Sequence, residues 1–187
     1  MDPISNLARS FDVAYDVFRG VTPDKWTAQS PCTEWDARGV AGHIIGGALM
    51  LGVCVPGNEF DHASLEGDLL GDDPAATFRA AADAAVAAFR ADPSVLGRTV
   101  TLPFGAMPGG MVVGLFTADS FTHAWDLAKA TGQSTDLDPE LAETVLGAVK
   151  TFVTADMRKP GFFDEEKPAP ADATAADRVA AYLGRDA

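Results

Sequence analysis

Cysteine is scarce in this 187-residue chain. Only Cys32 and Cys54 occur, so a disulfide scaffold is excluded and a reducing compartment, the cytoplasm, is the natural setting. Positive charge is scarce too. Lys and Arg number 14 against 27 Asp and Glu, a formal charge of −13. With no basic run to offset it, this charge speaks against nucleic acid or an anionic membrane as partner. The opening MDPISNLARS has no apolar block and is no signal peptide. Neither a G-x-G-x-x-G nor a P-loop pattern occurs, so nothing suggests a nucleotide cradle. Long hydrophobic runs are limited to one, GVAGHIIGGALMLGVCVP over residues 39–56. It falls short of the roughly 20 apolar residues of a spanning helix and carries several glycines and a histidine. It therefore reads as a core helix rather than a membrane segment.

What the chain does have is apolar residues at helical spacing, 47% of the total, enough to bury a single core. Ile4, Leu7, Phe11, Ala14 and Phe18 recur at three-and-four intervals up to Gly20, predicting a first helix. Thr33, three residues ahead of Asp36, has capping-box spacing and predicts the start of a second helix, which runs to about Leu51 or Val53. Residues 56–72 are turn-rich and acidic, a loop. Pro74 opens a third helix carrying Phe78, Ala82, Ala85 and Phe89. Residues 98–104, RTVTLPF, alternate like a strand, yet no partner strand is evident. A fourth helix starts at Gly109 or Met111 and stops at Gly132, and Asp138 with Pro139 opens a fifth. The expected organisation is an all-α four-helix bundle over residues 1–158, with extra short helices and at most a short β element. Residues 159–187 then form a Pro-rich acidic tail, with a short C-terminal helix packed on the same domain.

Polar residues on apolar faces carry the functional signal. His43 sits among Val40, Ile44, Gly47 and Leu51. Asp119 and His123 are four apart on a face with Val112, Leu115, Phe116 and Leu127, so both project from one side of the fourth helix. A carboxylate in such a place must be neutralised. Three arrangements do this: a hydrogen-bonded polar pair, a divalent metal held by His43, Asp119 and His123 with coordination positions left open, or a metal-free His–Asp acid/base pair. Asp126, three residues past His123, is placed either to orient its imidazole or to face solvent. Trp35 and Trp125 can wall a pocket or fill core. His62, in the acidic loop, reads as exposed. Cys32 and Cys54 have no partner at metal-ligand spacing and read as inert thiols. The GGM run at 109–111 precedes a helix and is a weak anion-site signal.

The segments SPCTEWDARGVAGHIIGG and ADSFTHAWDLAKATGQ, with TVTLPFG and the closing AAYLGRDA, resemble the mycothiol-dependent maleylpyruvate isomerase N-terminal, metal-binding family. That family lies within the DinB-like superfamily, and the likeness is to its short actinobacterial members. It covers nearly the whole chain. The resemblance implies a four-helix bundle with a divalent metal, zinc or nickel, whose ligands fall on His43, Asp119 and His123. It also implies a small thiol such as mycothiol and an electrophilic substrate as partners, and it is compatible with a homodimer. Two departures stand out. Asp119 occupies a position where the isomerase has Glu, and only residues 159–187 follow the bundle where the isomerase has a second domain. The metal site thus carries over more directly than maleylpyruvate isomerisation. The competing reading is a non-catalytic DinB-like protein with a structural metal or a bare His/Asp cluster.

Overall fold

The computed structural model describes residues 2–158 and 163–187. Residues 159–162, where the acidic tail is expected to begin, lie outside the described residues. Among the described residues, six α-helices and one β-hairpin make up the fold. In chain order they are α1 (Pro3–Gly20), α2 (Ala37–Cys54), α3 (Pro74–Ala91), β1 (Thr99–Leu102), β2 (Gly105–Pro108), α4 (Gly109–Thr131), α5 (Pro139–Phe152) and α6 (Ala175–Tyr182).

Helices α1 to α4 form the bundle. Each packs on two neighbours: α1 on α3 and α4, and α2 on α3 and α4. Phe78 of α3 stacks on Phe18 of α1 with ring centroids 4.7 Å apart and meets Phe11 edge-on at 5.8 Å. All three rings are buried, which fixes the α1–α3 seam. The alanines of α3 (Ala81, Ala82, Ala85) are buried as well. Helix α2 is long and apolar enough to cross a membrane by length and composition. Here it packs on α3 and α4, and residues from Ala37 to Cys54 along it enter the core.

The helix ends follow from local chemistry. Asp2, Asp36, Asp73 and Asp138 each cap a helix by accepting backbone N–H groups, from Ile4, Gly39, Ala76 and Leu141 respectively. The cap of α2 is therefore Asp36 and not Thr33. The peptide N–H of Trp35 is taken by Cys32 O at 2.9 Å, and Gln29 pairs with Asp36 in an isolated antiparallel bridge. This folds Thr33 into the loop before the helix. Gly132 ends α4 in the left-handed conformation at φ 75°, as a C-terminal glycine does.

Residues 98–104 do find a partner. Strand β1 pairs antiparallel with β2, Thr99 opposite Pro108 and Leu102 opposite Gly105. The partner GAMP lacks alternating β-formers, and Gly105 takes φ 138°, which hides the hairpin from a periodicity reading. The hairpin leads straight into α4, where the Gly109 N–H donates to Arg98 O at 2.8 Å. A Cβ at Gly109 would lie 2.0 Å from Val95 O. Protein groups thus already crowd this helix start, and the Gly109 N–H is taken within the chain.

Helices α5 and α6 pack on each other and on α4 and build a second apolar cluster around Trp125, Leu141, Val145 and Val179. Trp125 is fully buried, and its indole N–H donates to Asp177 Oδ1 at 2.8 Å. It anchors α6 to α4 and lines no pocket at the candidate site. The capping box of Thr174 and Asp177 starts α6. Gly184, at φ 91°, then turns the chain so that Arg185 points back beneath α4.

Candidate metal centre

Helices α2 and α4 are bundle neighbours, and their polar face residues meet. His43 Nε2 lies 3.1 Å from Asp119 Oδ1, and His123 Nε2 lies 3.6 Å from the same oxygen. The two imidazole rings are 4.6 Å apart at 69°, and one ligand atom from each of the three residues lies within 4.8 Å of the others. Trp35, on the loop before α2, covers the pair, with its ring 4.7 Å from His43 and 5.6 Å from His123. Its backbone oxygen holds that loop shut by accepting from Ser30 Oγ at 2.7 Å and Gln29 Nε2 at 3.0 Å.

Behind His123 stands a buried polar chain. Asp126 is completely buried, so its expected role splits in favour of orienting the imidazole and against facing solvent. Its Oδ2 accepts from His123 Nδ1 at 3.0 Å and from Arg185 Nη2 at 3.0 Å, and its Oδ1 accepts from Arg185 Nε at 3.2 Å. Cys32 joins them: its thiol donates to Asp126 Oδ2 at 3.2 Å, and Arg185 Nη2 lies 3.3 Å from Sγ. Cys32 thus reaches the site through the fold although no sequence spacing placed it there. Arg185 was also missed. Its only signal was the closing AAYLGRDA segment, and 59 residues separate it from Asp126.

The charges settle the roles. Burial opposes ionisation of Asp126, yet the hydrogen bond from His123 and the Arg185 guanidinium prevail and lower its pKa to about 2. Burial likewise opposes charge on Asp119, and His43 and His123 outweigh it, so that pKa is lowered too. Burial would depress His43, but the adjacent Asp119 carboxylate raises its pKa above the ordinary imidazole value. The Cys32 thiol is pushed up to about 12 by burial and by Asp126, so it stays protonated and is a poor nucleophile.

An ionised carboxylate only accepts, so Asp126 holds a proton on His123 Nδ1. Nε2 is then the nitrogen turned toward Asp119 Oδ1, and a metal ion or a proton fills the place between the two. Donors held about 2.0–2.2 Å from one tetrahedral zinc lie about 3.3–3.6 Å apart; the 3.6 Å between His123 and Asp119 matches that edge, and the 3.1 Å between His43 and Asp119 is slightly shorter, a hydrogen-bond distance. His43, Asp119 and His123 therefore fit a divalent metal. Cys32, His123 and Asp126 also cluster closely, but the Arg185 guanidinium already supplies the positive charge there. Cys54 is buried and far from this chemistry, packed in the main core. His62 is exposed and touches Phe60 edge-on at 6.3 Å; it takes no part in the cluster.

Two of the larger cavities among the described residues open on the donors. One of about 400 Å³ runs along the glycine face of α2, and one of about 520 Å³ lies under the Cys32–Trp35 loop beside Arg185. Trp35, His43 and Asp119 border both.

The model of the mycothiol maleylpyruvate isomerase N-terminal domain family matches residues 7–128. This chain belongs to that family. The helical bundle with a two-stranded hairpin is consistent with the DinB-like superfamily. Proteins described as uncharacterized from two strains of Mycobacterium tuberculosis are 39% identical over 186 residues, covering 99% of this chain and 98% of theirs. No solved structure matches it. Within the isomerase-domain match lie His43, Asp119, His123 and the orienting Asp126. Arg185, which neutralises Asp126, lies beyond it.

Proposed function

We propose that this member of the family binds a divalent metal, zinc or nickel, through His43, Asp119 and His123 and uses a small thiol, of the mycothiol kind, in a transfer or isomerisation reaction. The observation that carries this reading is the convergence of three donor atoms from two facing helices where two cavities meet. With three protein ligands the centre is of the open kind. The bound metal supplies positive charge that favours the thiolate form of an incoming thiol at neutral pH.

The residues do the rest. Asp126 holds the His123 proton on Nδ1 and keeps Nε2 free to bind. Arg185 keeps Asp126 ionised. Trp35 lies over both imidazole rings. The thiol of the co-substrate loses its proton to solvent, and its sulfur pair forms a bond to an electrophilic carbon. In a transfer, the bond from that carbon to its leaving group breaks and the group departs with the pair. In an isomerisation, the carbon–carbon π pair moves to the neighbouring carbon. Rotation about the resulting single bond and expulsion of the thiolate then restore the double bond. Cys32 is not the nucleophile, consistent with its raised pKa.

The test is calorimetric titration of small thiols into zinc-loaded and metal-stripped protein. The reading expects binding to the loaded form alone, and unchanged binding in Cys54→Ala. Equal binding to both forms, or to neither, overturns the thiol reading.

A further inference from the structure

A thiol needs an electrophile to attack, and the two sides of the donor cluster differ in what they can receive. The cavity of about 400 Å³ is walled by Gly42 and Gly46 of α2, by Leu65 and Leu69 of the following loop, by Phe104 of the hairpin turn and by Phe116 of α4. The ionisable groups along it are His43 and Asp119, both donors. Lys and Arg are absent from its lining. In the other cavity the cation is Arg185, paired with the buried Asp126 carboxylate through Nε and Nη2 and bonded to Leu183 O through Nη1. A carboxylate carried along the glycine face, beyond the reach of a metal at the donors, would thus meet no Lys or Arg among the described lining residues. Burying an unpaired carboxylate there is costly. An apolar arm instead loses only water on entering, and the volume lies in the range of small-molecule sites.

We infer that the electrophile carries an uncharged apolar arm, the arm lying along the glycine face of α2 and the reacting carbon at the His43–Asp119 end. A carboxylate at the far end of that arm does not suit this place. The inference rests on reading His43, Asp119 and His123 as metal donors, and it adds the class of the second substrate. Gly42 decides the room available. A Cβ there meets nothing nearer than Leu70 Cδ1 at 3.8 Å, so a larger side chain points into the cavity without moving the helix. Phe104, 59% exposed at the mouth, can be changed without touching the core.

The experiment titrates zinc-loaded protein with acetohydroxamate, octanohydroxamate and the monohydroxamate of suberic acid, and titrates metal-stripped protein with octanamide and octanoate in parallel. Octanohydroxamate is expected to bind at least about ten-fold tighter than acetohydroxamate, since each buried methylene adds affinity, while the terminal carboxylate of the suberate probe erases that gain. Gly42→Leu and Phe104→Glu should remove the chain-length gain and leave zinc content and acetohydroxamate binding unchanged. Octanamide should bind better than octanoate, again only with Gly42 in place. If zinc is not taken up but octanamide still binds in this Gly42-dependent way, the metal reading fails and the apolar-arm inference stands. A chain-length gain equal in wild type and both variants, tighter binding of the carboxylated probe, or no Gly42-dependent binding at all overturns the inference.

Discussion

Asp126 Oδ2 sits 3.0 Å from His123 Nδ1, and this one contact decides which nitrogen of His123 faces the donor cluster. The carboxylate is fully buried and gripped at both oxygens by Arg185. A residue on the chain's final turn thus reaches, through Asp126, a histidine in the middle of α4.

Asp126→Asn should weaken zinc binding about 10- to 100-fold, the usual cost of losing a carboxylate behind a ligating histidine. Helix content by circular dichroism should stay close to wild type. Competition titration against a chromogenic chelator measures the change; an affinity equal to wild type would mean that Asp126 does not position His123.

Breaking the other half of the pair should act on stability. Arg185→Gln leaves Asp126 buried and uncompensated, which costs about 3–5 kcal/mol in urea denaturation of the metal-free protein. The sign with pH follows from Asp126, whose pKa falls from 3.8 to about 2 in the folded chain. A depressed carboxylate contributes stability that is present above pH 3.8 and lost as the pH falls through about 2. The contribution is on the order of 2 kcal/mol. Denaturation series at pH 5, 4, 3 and 2 should show this loss in wild type and a flatter profile in Asp126→Asn.

His43 sets a different window. Its pKa is raised by Asp119, and a metal ligand must be deprotonated, so zinc and the His43 proton compete. Zinc affinity should rise with pH, with a midpoint above the ordinary imidazole value of 6.5. In the metal-free protein the linkage has the opposite sign: the protonated His43 stabilises the fold fully below 6.5, and this is lost as the pH rises through the raised value. A zinc affinity that is flat between pH 6 and 8 would contradict the assignment of His43 as a donor.

Most of the helical frame was legible because it depends on local signals. Asp–Pro pairs open α3 and α5, Gly132 ends α4, and apolar residues at three-and-four spacing mark the buried faces. The juxtaposition of His43 with Asp119 and His123 was legible too, as polar side chains on apolar faces that need one another. What stayed hidden depends on tertiary contact. Thr33 matched a capping spacing, but the loop closed by Ser30, Gln29 and Trp35 left the cap to Asp36. GAMP pairs with TVTL because the turn at Pro103 and Phe104 brings it back, without β-formers of its own. Trp125 was open between pocket wall and core, and its burial with the indole N–H on Asp177 of α6 makes it core. Cys32 and Arg185 lie far from His123 in sequence, and only the packing of the first loop and the last turn against α4 brings them to Asp126.

The most direct measurement is the metal content of the purified chain, by elemental analysis, in wild type and in Asp119→Asn. The account predicts about one divalent ion per chain in wild type, retained through mild purification or regained on dialysis against zinc. It predicts that Asp119→Asn keeps its helices and loses that ion. A wild type that holds no metal and takes none up, or an Asp119→Asn variant that holds as much as wild type, would contradict the assignment of His43, Asp119 and His123 as a metal centre.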